Sequence, residues 1–489
     1  MNVSRLMSTQ HPDNVTSPFF AKEVVMSGDD EIEEAFYTYS HLNVDEQLWD
    51  SEGKEVDNFV VKKLFSRYPS YFQKQVLGKD KFLTMRVPNP DVEKSEGKIL
   101  LEALNSIPRN FDIGKIFYGK DVPPIFEVVI PMCFSEKNLI RVHEYYKKYI
   151  INTQHTSIIK DDIKISDWLG KFSPENIRVT PLFETKDAII NADKYVEKYI
   201  EFEKIENLQR VWFARSDPAL NYGSTATVLI EKIGLLKLHD LQEKLSIEML
   251  PIIGCGSAPF RGNFKPTNVM DMVSEYPSIQ TFTLQSAFKY DFPLKDVLNG
   301  IEKIKETKRK NPLYVDVNQS INYINKMEKE YISSIKLLAP MINMMSEYVP
   351  QRRKRKLHID LFGYSRSAEG IHLPRAISFC ASLYSLGLPP EILGLSVLDE
   401  KEIEQIRQSY QGIDQDLADA FQYVNKENLS YFPIEIKKKV LKVLNMFEYE
   451  VDARHKEITS DIMKAFKKRD VMAIQNGIVK AGSLRQFLG

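Results

Sequence analysis

The chain has 489 residues, 43% of them hydrophobic and 27% charged, with a formal net charge of −1. That composition fits a globular protein with a sizeable core and excludes a global electrostatic pull toward nucleic acid or an anionic membrane. Cys133, Cys255 and Cys380 are too few and too unevenly spaced for a disulfide framework, which suits a reducing compartment. No apolar run reaches the length of a membrane span, and Arg5-Leu6-Met7 leads into Ser-Thr-Gln-His-Pro instead of an apolar signal core. A soluble, cytoplasmic protein is expected, with no nucleic-acid or membrane partner.

The first predicted strand is the short apolar run of Val3, Leu6 and Met7, and it leads into Ser8-Thr9-Gln10-His11-Pro12-Asp13-Asn14. Pro12 locks φ and removes a donor, so this stretch reads as strand then turn, with the His11 imidazole held near the turn. Further strands are predicted at 82–87, 125–133, 177–183, 211–214, 247–254, 279–284 and 357–362, with helical spacing at 185–198 and 225–245 between them. Strands alternating with helices indicate βα units, and eight of them indicate an α/β fold of the (β/α)8 TIM type. Extensive extra helices accompany the barrel, and the C-terminal third is mainly helical. A single large domain spanning 1–489 is expected. It would carry helical insertions at 28–58, 88–124 and 292–356, the first two exposed, and a helical extension at 376–489.

In such barrels the chemistry sits at the C-terminal ends of the strands. The residues predicted there are His11, Arg86, Glu184, Asp217, the loop 254–261, Gln285 and Arg366. Glu184 and Asp217 are 33 residues apart in the sequence, about one βα unit, so their carboxylates would share one mouth. Two carboxylates suit Mg²⁺ or Mn²⁺, whose other positions go to water and substrate oxygens. The competing reading makes each a cap of its following helix; for the matched pair the ligand reading is favoured. The loop Gly254-Cys255-Gly256-Ser257-Ala258-Pro259-Phe260-Arg261-Gly262-Asn263 could bring backbone N–H groups and a guanidinium to an anion. It matches neither a P-loop nor a dinucleotide fingerprint. Arg366 and Arg375 could clamp a small dianion, against the plainer reading of surface ion pairs. The basic run 352–356 is read as solvated surface, and Cys133 and Cys380 as core residues.

Taken together, residues 7–14, 181–185, 215–223, 254–264, 285–291 and 363–366, with Arg375, resemble the phosphoenolpyruvate carboxylase family, in particular its shorter, archaeal-type branch. The resemblance implies conversion of phosphoenolpyruvate and bicarbonate to oxaloacetate and phosphate, through carboxyphosphate and an enolate. It implies dependence on Mg²⁺ or Mn²⁺, a role in supplying four-carbon acids to the tricarboxylic acid cycle, and a homotetramer. Carried over, His11 and Arg261 are catalytic, Glu184 and Asp217 hold the metal, and Arg86, Arg366, Arg375 and Gly262 bind substrate. Leu220 and Cys255 stand where the larger enzymes have lysine and arginine, so their effector control does not carry over. The rival reading is another metal-dependent barrel enzyme acting on the same enolate, a phosphotransferase or carbon–carbon lyase.

Overall fold

The computed structural model describes residues 3–354 and 371–489, together with the backbone of 366–368. Eight parallel strands close a barrel in chain order. They are β1 (Leu6–Ser8), β2 (Glu46–Asp50), β3 (Phe82–Arg86), β4 (Glu127–Ile130), β5 (Arg178–Phe183), β6 (Leu208–Ala214), β7 (Glu248–Gly254) and β8 (Thr281–Leu284). β1 pairs with both β2 and β8, which completes the ring. Because every pairing is parallel, all C-terminal strand ends open at one mouth.

The twofold side-chain period of a strand sorts the interior into layers. Counting by twos, Glu46, Leu48 and Asp50 climb β2; Glu127 and Val129 climb β4; Thr180, Leu182 and Glu184 climb β5; Arg210, Trp212 and Ala214 climb β6. The middle layer is apolar: Met7, Leu48, Val129, Leu182, Trp212, Ala214 and Ile252 form a core cluster of their own. Below it, Arg210 bridges Glu46 and Glu127 as a charged floor. Alternate residues such as Trp49, Met85, Val128, Phe183 and Phe213 belong to the larger core cluster shared with the surrounding helices.

β2 lies inside the segment 28–58 expected as an exposed helical insertion. Its inward residues are acidic at both ends, because one serves the floor and one the mouth, so only Leu48 is apolar and the run does not read as a strand. The expected eighth strand, 357–362, lies outside the described residues, and β2 completes the eight. Residues 88–124 contain the helix Gly97–Tyr118, which buries Leu100, Leu104, Ile107 and Phe111 between β3 and β4. They form a barrel unit and not an exposed excursion. The helical run at 185–198 is broken at Asn191 into Lys186–Ile190 and Ala192–Glu203.

The segment 292–356 supplies Leu294–Glu306 and the 30-residue helix Val317–Ser346. A further body of helices, from Ala376–Ser385 to Val471–Arg485, follows. Its last residues, Phe487 to Gly489, are buried, and Leu488 N–H donates to Asp13 O at 2.8 Å. Among the described residues no single helix is long and apolar enough to cross a membrane; the pair Ala376–Ser385 and Pro390–Val397 passes on composition only across a 98° bend.

The basic run 352–356 is not all solvated surface. Arg353 is buried and donates to Glu34 Oε2 at 2.7 Å and to Ser286 Oγ at 2.9 Å, while Arg352 Nε donates to Asn14 O at 3.2 Å. The cause is Glu34, a carboxylate with no access to water, which also takes Lys289 Nζ at 2.7 Å. A buried charge persists only when paired. Lys354 remains at the surface, and 355–356 lie outside the described residues.

Candidate active site at the barrel mouth

Above β1 the chain is tightly held. Thr9 N–H and Thr9 Oγ1 both reach Leu284 O, at 2.9 and 3.3 Å, and Lys289 Nζ donates to Thr9 O at 3.1 Å. The half-buried His11 ring follows, with Nδ1 2.9 Å from Thr9 Oγ1. Asp13, wholly buried, accepts from Ala287 N–H at 2.9 Å and faces Arg261 Nη1 at 3.4 Å. Burial raises its carboxyl despite the pull of Arg261.

Above β2 and β3, a cross-strand pair makes the next wall. Arg86 grips Asp50 with two parallel hydrogen bonds of 2.8 and 2.7 Å, and its Nη2 lies 3.1 Å from Glu52 Oε2. Burial alone would raise the Asp50 carboxyl, but Arg86 outweighs it and holds it far below the usual carboxylate range. For Glu52 burial wins over Arg86, and its carboxyl is raised. Arg375 lies in the field of Glu52, Asp50, Arg86 and Glu93, its guanidinium lowered chiefly by burial. Arg86 and Arg375 therefore belong to one cluster, and Glu184 is among the carboxylates acting on Arg86.

β5 and β6 pair through Leu182↔Trp212 and Phe183↔Phe213, so Glu184 and Asp217 follow adjacent strand tops. Glu184 is buried and is not the helix cap; Thr185 fills that role by accepting from Ala188 N–H. Asp217 lies in the first turn of Ser216–Tyr222, where the helix dipole favours a carboxylate, and Arg215 holds the cap position. Among the described residues no group of three or more His, Cys, Asp or Glu side chains forms a metal cage. Two carboxylates without a closed cage are the donor set that Mg²⁺ tolerates, since it keeps several waters.

Above β7 the loop folds back on itself: Gly256 N–H donates to Arg261 O at 2.8 Å and Phe264 N–H to Gly256 O at 2.9 Å. A Cβ at Gly256 would stand 2.8 Å from Gln285 Oε1 and 3.1 Å from Arg261 Cζ, so only glycine lets the guanidinium lie against the backbone. Gly262 turns the chain at φ +123°, and a Cβ there would strike Cys255 Cβ at 2.9 Å. Arg261 is buried. It donates through Nε to Ser216 Oγ at 3.0 Å, through Nη1 to Gly489 O at 2.6 Å, and through Nη2 to Gln285 Oε1. Cys255 is an inert core thiol, pushed up to about 12 by burial, and Leu220 is likewise buried.

Beneath this loop lies a buried polar layer that sequence reasoning missed. Arg215 donates to Ser224 O at 3.1 Å, Tyr276 Oη donates to Glu231 at 2.7 Å, and Asn263 donates to Asp416 and Asp419 at 2.7 and 2.8 Å. Burial raises Glu231 to about 7 and Asp416 to about 6. Asn263 sits in the loop, Glu231 on the helix Ser224–Leu245 and Asp416 and Asp419 on the helix Ile413–Phe421, and no spacing in the sequence ties these segments together. Asp50 and Glu52 escaped notice because β2 did. Arg366 opens a two-stranded antiparallel pair, Arg366–Ala368 with Ile371–Leu373, and its side chain lies outside the described residues.

His11, Arg86, Glu184, Asp217 and Arg261 thus stand at or follow C-terminal strand ends of one barrel, and Arg375 shares the carboxylates around Arg86. A family model described as phosphoenolpyruvate carboxylase matches residues 3–489. Proteins named phosphoenolpyruvate carboxylase from Pyrococcus furiosus, Methanospirillum hungatei and Halobacterium salinarum are 48%, 46% and 41% identical to this chain, each comparison covering 100% of both sequences.

Proposed function

The chain belongs to the phosphoenolpyruvate carboxylase family and is a carboxy-lyase; from that premise we propose how its barrel mouth carries out the reaction. The observation that carries the reading is the shared cluster of Arg86 and Arg375, with the Glu184 carboxylate acting on Arg86 through its charge. A small phosphorylated acid needs such guanidinium groups, and a divalent cation needs such carboxylates.

Glu184 and Asp217 would hold Mg²⁺ or Mn²⁺, which when bound supplies Lewis-acid polarisation of substrate oxygens. Arg86 and Arg375, with Arg366 by family resemblance, bind the phosphate and stabilise the charge that spreads over it during transfer. Burial raises the Glu52 carboxyl beside Arg86, against the pull of that guanidinium. Bicarbonate attacks phosphorus, and the bond from phosphorus to the enol oxygen breaks, giving carboxyphosphate and the pyruvate enolate. Arg261, with Gly262 shaping its loop, orients the bicarbonate-derived group. His11 removes the carboxyl proton of carboxyphosphate as general base. Its C–O bond then breaks to release phosphate and CO₂, and the enolate carbon adds to CO₂ to form oxaloacetate. Water must be kept out, or the enolate is protonated to pyruvate. The buried stretch Phe487 to Gly489, joined to Asp13 and Arg261, serves that exclusion.

We carry over from the same resemblance a cytoplasmic homotetramer feeding four-carbon acids to the tricarboxylic acid cycle. The test is oxaloacetate formation, followed by coupled reduction to malate, with and without bicarbonate. A phosphotransferase or lyase acting on the same enolate would be indifferent to bicarbonate. In the His11→Asn variant, phosphoenolpyruvate should still be consumed with bicarbonate present, but the product should be pyruvate. Full carboxylation by that variant would remove His11 from the role of base.

A further inference from the structure

We propose that Thr9 is a positioning residue that fixes the tautomer of His11, holding the ring proton on Nδ1 so that Nε2 is the basic nitrogen. This rests on the reading of His11 as general base. The Thr9 hydroxyl has one proton and two neighbours able to accept it: Leu284 O at 3.3 Å and His11 Nδ1 at 2.9 Å. With the ring proton on Nε2, the hydroxyl would have to give its proton to Nδ1. Its contact with Leu284 O would then set lone pair against lone pair. With the ring proton on Nδ1, both contacts become hydrogen bonds: Nδ1–H donates to Oγ1, and Oγ1–H donates to Leu284 O. A relay of this kind sets which nitrogen of an imidazole is basic.

The arrangement is rigid as well as directional. Thr9 is wholly buried, so its hydroxyl cannot turn to bulk water. Its N–H is spent on Leu284 O at 2.9 Å, and its carbonyl takes Lys289 Nζ at 3.1 Å. Lys289 is itself anchored to Ser8 Oγ at 3.0 Å and to Glu34 at 2.7 Å. The strand end is thus fixed from three sides, which holds the hydroxyl in place against His11 Nδ1.

Thr9→Val keeps the branched shape and deletes only the hydroxyl; Thr9→Ser restores it. The chain has 8 histidines, so ¹⁵N-histidine labelling resolves the ring, and the signal lost in His11→Asn assigns it. The expected result is a wild-type His11 whose Nε2 is pyridine-like, a Thr9→Val ring that mixes or reverses the two tautomers, and a Thr9→Ser ring like wild type. In parallel, the ratio of pyruvate to oxaloacetate should rise about tenfold or more in Thr9→Val, within the range of general-base effects. Phosphoenolpyruvate consumption should stay within about threefold, because phosphoryl transfer does not need the base. A purely structural role would slow consumption and carboxylation together. The proposal is overturned if Thr9→Val keeps the wild-type ring signal, or if Thr9→Ser fails to restore it. Should His11→Asn carboxylate normally, the reading of His11 as base falls, yet the ring signal of Thr9→Val still decides the tautomer.

Discussion

At the N-terminal end of the barrel, Arg210 donates to Glu46 at 2.7 and 2.9 Å and to Glu127 at 2.9 Å. Thr84, Thr180 and Arg178 complete the set at 2.6, 2.9 and 2.8 Å. At the C-terminal end, Arg86 also grips a carboxylate, Asp50, but beside it stand Glu52, raised by burial, and a second guanidinium, Arg375. The floor answers every carboxylate oxygen of Glu46 and Glu127 from within the protein. At the mouth, Asp50 and Glu52 share Arg86, and Arg375 stands in the field of the same carboxylates. On the proposed function, the same side-chain types serve stability at one end and ligand binding at the other, and the apolar layer around Trp212 lies between the two. That division is the usual polarity of this kind of barrel.

The contrast is broken most severely at the mouth. Glu184→Gln or Asp217→Asn should lower carboxylation by about 10³-fold, several kcal/mol in the barrier, because each would remove a ligand of a Lewis-acid cation. Thermal unfolding should hardly move. Chelation should abolish wild-type activity and added Mg²⁺ or Mn²⁺ should restore it, but not in these variants. Near-normal rates in either variant would reduce the carboxylates to helix-end charges.

Arg210→Met tests the other end. It strands Glu46 in the interior without its cation and leaves Glu127 with Arg178 alone, which costs about 3–5 kcal/mol. Denaturant unfolding should register that loss, while the folded fraction keeps its KM for phosphoenolpyruvate. A large rise in KM would show that the floor and mouth communicate.

How much of this was legible in the chain depends on where each residue's partners lie. β5, β6 and β7 announce themselves because outward residues such as Phe183, Phe213 and Ile253 and inward ones such as Leu182, Trp212 and Ile252 are all apolar. β2 was hidden because two of its inward residues are acidic, and with it went Asp50 and Glu52. Arg352 and Arg353 look like surface in the sequence, since the carboxylate that draws Arg353 inward, Glu34, is 319 positions away. His11, Arg86, Glu184, Asp217 and Arg261 were readable as strand-end chemistry, but what each touches was not. That Arg261 spends its donors on Ser216, Gln285 and Gly489 is a fact of folding, not of spacing.

The buried layer under the glycine loop gives a smaller, pH-dependent effect. Glu231 rises from 4.5 to about 7 because burial outweighs the attraction of Arg215. The folded state therefore holds this proton more tightly than the unfolded state. Its contribution to stability is fully present below about pH 4.5 and is lost as pH rises through about 7. Glu231→Gln removes that dependence. The stability of wild type relative to the variant should fall by up to about 3 kcal/mol between pH 4.5 and 7. A difference that stays flat with pH would mean that Glu231 is ionised in the folded protein.

The least disruptive change sharpens the comparison most, because one substitution can be made at both ends. Glu46→Gln replaces a carboxylate that Arg210 grips with two bonds, and losing that charge should destabilise the fold by about 3 kcal/mol or more. Glu52→Gln replaces a carboxyl whose charge burial disfavours, so an amide of nearly the same shape should be accepted. Stability should change by under about 1 kcal/mol, and KM for phosphoenolpyruvate should stay within about threefold. If Glu52→Gln instead lowered KM tenfold, a charge at position 52 would be shielding Arg375 from its ligand. The mouth would then resemble the floor in pairing its cations within the protein, with substrate left to compete for them.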